Sequence, residues 1–165
     1  MVEVPDSSRE LVITNRQRSR AINTTLLRQV IRHLADQVWK LESFQLGFRL
    51  VTPDEMACVN ETYLQHTGPT DVITFDHTDG ANPQRLHGEV FICLAVAESQ
   101  AREFRTTWQA ELARYVIHGL LHLRGHDDLE PTARRAMKRE ENRLTRLVAR
   151  QFALSQLERT PRLAP

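Results

Sequence analysis

Residues Tyr115 to Asp128 read YVIHGLLHLRGHDD, and two histidines in this stretch, His118 and His122, stand four apart. The segment around them is rich in Leu, Ile and Val and holds no proline, so it reads as a helix. On a helix that spacing puts both imidazoles on one face, roughly 6 Å apart along the axis, where both can turn toward one point. Such a pair suits a metal ion better than it suits two independent core histidines. Gly125 follows His122 by three and reads as a left-handed C-cap that ends the helix and turns the chain back. Asp128, three further on, is then placed to bring a third ligand to the same point.

Written out, the pattern is H-G-x-x-H-x-x-G-x-x-D. It is similar to the metzincin ligand frame with two changes: Gly119 stands in place of the glutamate, and Asp128 in place of the third histidine. Two histidines and one carboxylate leave an open position on zinc, as catalytic sites need; a structural site is usually closed by a fourth protein ligand, often Cys, and no Cys stands near. In H-E-x-x-H peptidases the glutamate is the general base, and glycine cannot take a proton. The stretch therefore points to a metal-dependent hydrolase with one zinc ion per chain that is not a standard zinc peptidase.

Outside this stretch the composition is ordinary for a globular protein. The chain has 165 residues, 41% apolar and 26% charged, which fits a single domain over 1–165 with flexible ends at about 1–9 and 156–165. No apolar run has the length of a membrane span and the opening residues lack a signal-type apolar core, so the expectation is a cytoplasmic protein with no membrane partner. Formal charge is +1, so any polyanion site must be a local patch. Cys58 and Cys93 are too few for a disulfide scaffold and read as small buried residues.

Working outward, Leu11 to Thr14 reads as a strand, and Asn23 as the N-cap of a helix with apolar spacing from Leu26 to Val38. Phe44 to Thr52 alternates like a half-buried strand. Thr52-Pro53-Asp54-Glu55 opens a second helix with Met56, Val59 and Tyr63 facing inward and an end near Gln65. Strands follow at Thr70 to Phe75 and Glu89 to Leu94, with a polar loop between them. Helices are expected at Ala95 to Phe104, at Trp108 to Arg124, and from about Pro131 to about Leu154. That order predicts an α+β domain with a small mixed four-stranded sheet and about five helices, its metal site on a helix and the following turn.

Taken together, the motifs resemble those of the YbeY-type bacterial endoribonucleases of rRNA maturation. HGLLHLRGHDD is similar to that family's H-G-x-L-H-L-x-G-Y-D-H; Asn60, Tyr63 and Pro69 to Phe75 resemble its N-x-x-Y and P-T-D-V-L-S-F stretches; Gly88 to Cys93 resembles its G-D-I-x-I-C strand. The resemblance implies a zinc-binding α+β fold, cleavage of single-stranded RNA, and a role in maturing the 3′ end of small-subunit rRNA and in ribosome quality control. Its implied partners are RNA and the small ribosomal subunit. Two positions depart from the family pattern. Asp128 stands where the family has its third histidine, with His126, at the usual tyrosine, as the alternative ligand. Leu64 stands where the family carries an arginine thought to contact substrate phosphate. Asp127 reads as a turn-stabilising carboxylate.

RNA has to be held by positive charge. Arg135, Arg139, Arg143, Arg146 and Arg150 recur at steps of four, four, three and four, which is one helical stripe, tempered by Glu140 and Glu141. Arg135, Arg139 and Arg143 are its candidates for substrate binding, Arg16, Arg18 and Arg20 form a second basic cluster, and Thr70 and Asp71 are candidates to line the cleft. The competing readings are a ribosome-associated binding factor whose metal is structural and, with the base missing, a zinc peptidase.

Overall fold

The computed structural model describes residues 8–80 and 82–160. Strand β1 (Arg9–Asn15) is followed by α1 (Thr24–Arg32), which opens where the Asn23 side chain accepts a hydrogen bond from the Leu26 amide. Leu26, Leu27, Val30 and Ile31 are its buried stripe. The helix then widens into a π-helical turn (His33–Val38), with the Trp39 amide reaching back to the Leu34 carbonyl. In β2 (Ser43–Val51) Phe44, Leu46, Phe48 and Leu50 alternate into the core as the sequence predicts.

Helix α2 (Pro53–Val59) starts at a Thr52 hydroxyl that accepts from the Glu55 amide. It too ends in a π-helical turn (Asn60–Leu64), closed by the Gln65 amide on the Asn60 carbonyl. The extra residue per turn shifts the register. Asn60 is buried after Met56, and Tyr63, expected inward, is 66% exposed. Cys58 is likewise exposed on α2, against expectation, whereas Cys93 is buried.

The remaining elements are β3 (Val72–Asp76), β4 (Arg85–Cys93), α3 (Leu94–Phe104), α4 (Trp108–Leu123), α5 (Pro131–Gln151) and a 3₁₀ turn (Leu154–Leu157). The sheet runs β1-β2-β4-β3, with β1, β2 and β4 parallel and β3 antiparallel on one edge. This is the expected mixed α+β architecture. Neither end is free as far as it is described. Arg9 donates to the Leu41 carbonyl and pairs with Asp36. Leu157 is buried, its carbonyl accepts from the Asn23 amide, and the Arg159 amide donates to the Ala21 carbonyl. The rest of both expected flexible ends, 1–7 and 161–165, lies outside the described residues.

Helix α4 crosses one face of β3 and β4 at close range. A Cβ on Gly119 would fall 2.6 Å from the Val90 side chain, and one on Gly88 would fall 2.4 Å from Leu123. Gly119 is therefore a packing glycine, and no carboxylate fits there while α4 lies against the sheet.

Candidate metal centre

Helix α4 begins where the Thr107 hydroxyl accepts from the Ala110 amide, and it buries Leu112, Val116, Leu120 and Leu123. That packing fixes which way the remaining face looks. His118 and His122 lie on it with their rings edge to face, centroids 4.7 Å apart and Nε2 atoms 3.1 Å apart. At the end of α4, Gly125 takes φ +96°. The Gly125 amide donates to the His122 carbonyl and the His126 amide to the Leu121 carbonyl. This is a Schellman turn. It delivers Asp128 to the histidine pair, with Oδ2 3.7 Å from His118 Nε2 and 3.6 Å from His122 Nε2.

The hydrogen bonds behind the three groups decide what can bind between them. His118 Nδ1 lies 2.9 Å from Glu141 Oε2, and His122 Nδ1 lies 3.1 Å from the His126 carbonyl oxygen. A carboxylate and a carbonyl only accept, so each Nδ1 donates and each neutral ring leaves a bare lone pair on Nε2. Two lone pairs and a carboxylate oxygen thus converge with no proton of their own, a donor set that calls for a cation. Ligand atoms around a tetrahedral zinc stand about 3.3 Å apart, and the three separations here bracket that value. The donor set fits zinc.

Glu141 is the residue that sequence reasoning missed. It is 5% exposed on α5, with Oε2 on His118 and Oε1 2.8 Å from Arg114 and 3.3 Å from Lys138. Burial pushes its carboxyl up, but the bonds from His118 and Arg114 outweigh this and bring it down to about 2. Burial pulls His118 down, and Glu141 and Asp128 more than reverse that, so its pKa lies above the ordinary value. The available signal was position: Met137, Glu141, Leu144 and Val148 form the buried stripe of α5, and Glu141 is its one charged member.

The side chain of His126, the alternative ligand, is outside the group that His118, His122 and Asp128 form among the described residues, while its backbone carbonyl orients His122. Asp127 accepts from the Leu129 amide and stabilises the turn. Arg134 reaches from α5 to the carbonyls of Asp128 and Leu129 and holds the turn that carries Asp128. A cleft of about 510 Å³ opens beside His118 and Asp128, with Asp71, Arg114, Arg134 and Lys138 among its walls. Thr70 touches it only through its bond to Asp71. The candidates Arg135, Arg139 and Arg143 are exposed on the far side of α5 and are not among the described residues that line this cleft. Arg143 is bound to Glu140; Arg16 pairs with Glu55, and Arg20 with Glu98 and Glu158. Leu64 lines a second hollow on the other flank, with Thr74, Asp76 and His122.

Among the described residues no helix is long and apolar enough to cross a membrane. A family model described as Endoribonuclease YbeY matches residues 12–149. Endoribonuclease YbeY of Salinibacter ruber is 33% identical over 144 residues, covering 84% of this chain and 91% of that protein. Endoribonuclease YbeY of Chlorobaculum parvum is 34% identical over 129 residues, covering 78% and 86%. The solution structure of TM1509 from Thermotoga maritima aligns with a TM-score of 0.61 at 24% identity, covering 94% of this chain and all of that one, and shows the same fold.

Proposed function

This chain belongs to the Endoribonuclease YbeY family, and from that premise we propose that, as an endoribonuclease of rRNA maturation, it cuts single-stranded RNA with one zinc ion held by His118, His122 and Asp128. The observation that supports the metal is the convergence of two bare imidazole nitrogens and a carboxylate oxygen. A zinc ion so held supplies Lewis acidity toward a phosphodiester and shifts the ionisation of water toward neutral pH.

The residues of the chain do the rest. Glu141 and the His126 carbonyl keep both ligand rings in the tautomer that presents Nε2. Arg134 fixes the turn that carries Asp128. Arg114, Arg134 and Lys138 are the cations among the cleft's carboxylates, and a phosphate adjoining the scissile one would lie against them. Arg135, Arg139 and Arg143, outside the cleft, hold the RNA backbone on its way past α5. The substrate is the 3′ end of small-subunit rRNA, met on the small ribosomal subunit in the cytoplasm. Peptidase chemistry is disfavoured by the packing of Gly119 on Val90, which leaves no room for the glutamate base.

The test is elemental analysis of the purified protein together with cleavage of single-stranded and duplex RNA. About one zinc per chain and cleavage confined to the single strand are expected, with His118→Ala losing metal and at least about 100-fold of the rate. Cleavage that survives in folded, metal-free His118→Ala would leave the metal a structural role.

A further inference from the structure

The face of the sheet turned away from α4 carries an aromatic series that the metal site does not use. Val90 pairs with Thr74 across β4 and β3, and Val90 faces α4 through Gly119. The neighbouring residues Phe75 and Phe91 therefore look to the opposite side of the sheet. Phe75 stands edge to face on Phe91 with centroids 5.6 Å apart, and Arg49 lies over Phe91 at 5.9 Å. Tyr63 completes the series, its ring 5.3 Å from Phe75 at 76° and 66% exposed. Its chain neighbour Leu64 is 44% exposed and lines the hollow that also contains His122.

Two large apolar side chains, adjacent in sequence, are thus left to solvent: Leu64 at the hollow that contains His122, and Tyr63 against Phe75. The π-helical turn puts them there, and Phe75 holds the tyrosine ring at a set angle. A ring held nearly perpendicular to its neighbour and largely exposed leaves a π-face to solvent, the group on which unpaired bases stack. We infer that Tyr63, backed by Phe75 and flanked by Leu64, is a stacking platform for an unpaired base of the substrate beside the His122 flank of the metal site. The inference rests on the RNA reading above and adds a base subsite to it. Duplex RNA keeps its bases stacked within the helix, so the platform also selects for single strands.

The probe is a cleavage-resistant 2′-O-methyl single strand, titrated into the purified protein, with an abasic strand of the same length beside it. Tyr63→Ala is expected to bind the base-bearing strand about fivefold or more weakly, while Tyr63→Phe and Tyr63→Trp stay within about twofold of the parent. On the abasic strand the parent and Tyr63→Ala should bind alike. Tyr63→Ala binding the base-bearing strand as tightly as the parent overturns the inference, and so does an equal loss on both strands. If the parent cleaves RNA normally in either of those cases, only the platform falls. If the parent neither binds nor cleaves single-stranded RNA, the endoribonuclease reading fails first and the platform with it.

Discussion

The two faces of α5 carry charge in opposite ways. Its outer face presents Arg135, Arg139 and Arg143 to solvent, and its inner face holds the single buried carboxylate of Glu141 among Met137, Leu144 and Val148. The outer charges are many and hydrated, so each contributes little to the fold. The inner charge is desolvated and tied to His118, Arg114 and Lys138, so removing it strands several partners at once. In this helix the conspicuous pattern and the consequential residue lie on opposite sides.

Glu141→Ala should break that contrast most severely. Loss of a buried, paired charge costs roughly 3–5 kcal/mol, and loss of an outer-shell partner lowers metal affinity about 10- to 100-fold. Thermal unfolding and competitive zinc titration would read the two effects separately. Glu141→Gln keeps an acceptor for the His118 Nδ1 proton and should recover part of the metal affinity. Equal affinities for Glu141→Gln and Glu141→Ala would mean that Glu141 only fills space.

The inner face also imposes the larger pH dependence of the two. The Glu141 carboxyl falls from 4.5 to about 2 on folding, so the stability it confers is complete above pH 4.5 and is lost as pH drops toward 2. The difference is worth roughly 3 kcal/mol. For His118 in the metal-free protein the sign is reversed. Its raised pKa favours the protonated pair with Glu141, a contribution present below 6.5 and lost as pH rises through the folded value. Zinc needs the neutral ring, so zinc affinity should climb as pH rises through that same value and then level off. In Glu141→Gln, burial is left without its main counterweight and the climb should begin at lower pH. Zinc titrations between about pH 5 and 8 would show whether the two curves separate.

What the sequence made legible follows the range of the interactions involved. The helices, the strands and the meeting of His118, His122 and Asp128 rest on local rules: a 3.6-residue period, proline and threonine at a helix start, glycine at a helix end. Tyr63 departs from the helical spacing because a π-helical turn breaks the period, and no side-chain pattern announces that turn in advance. Glu141 looks like a tempering charge in the sequence because its partner His118 lies twenty-three residues away on another helix. Gly119 looked like a missing base, and its packing role needed Val90, on a strand, to be placed beside it.

The outer arginines supply the smallest effects and the sharpest control. Arg135→Ala, Arg139→Ala and Arg143→Ala should each change stability by less than about 0.5 kcal/mol, since each side chain is exposed. Arg143→Ala also frees Glu140, whose carboxyl is held low first of all by that arginine, but the pair is half in water and screened by salt. If the stripe holds an RNA backbone, each substitution should lower the slope of log affinity against log salt by about 0.7 and leave zinc content unchanged. An unchanged slope in the triple variant would reduce the stripe to a solubilising face. It would leave Arg114, Arg134 and Lys138 as the cations that meet phosphate, and then both the metal and the grip on RNA would belong to the side of α5 that faces the cleft.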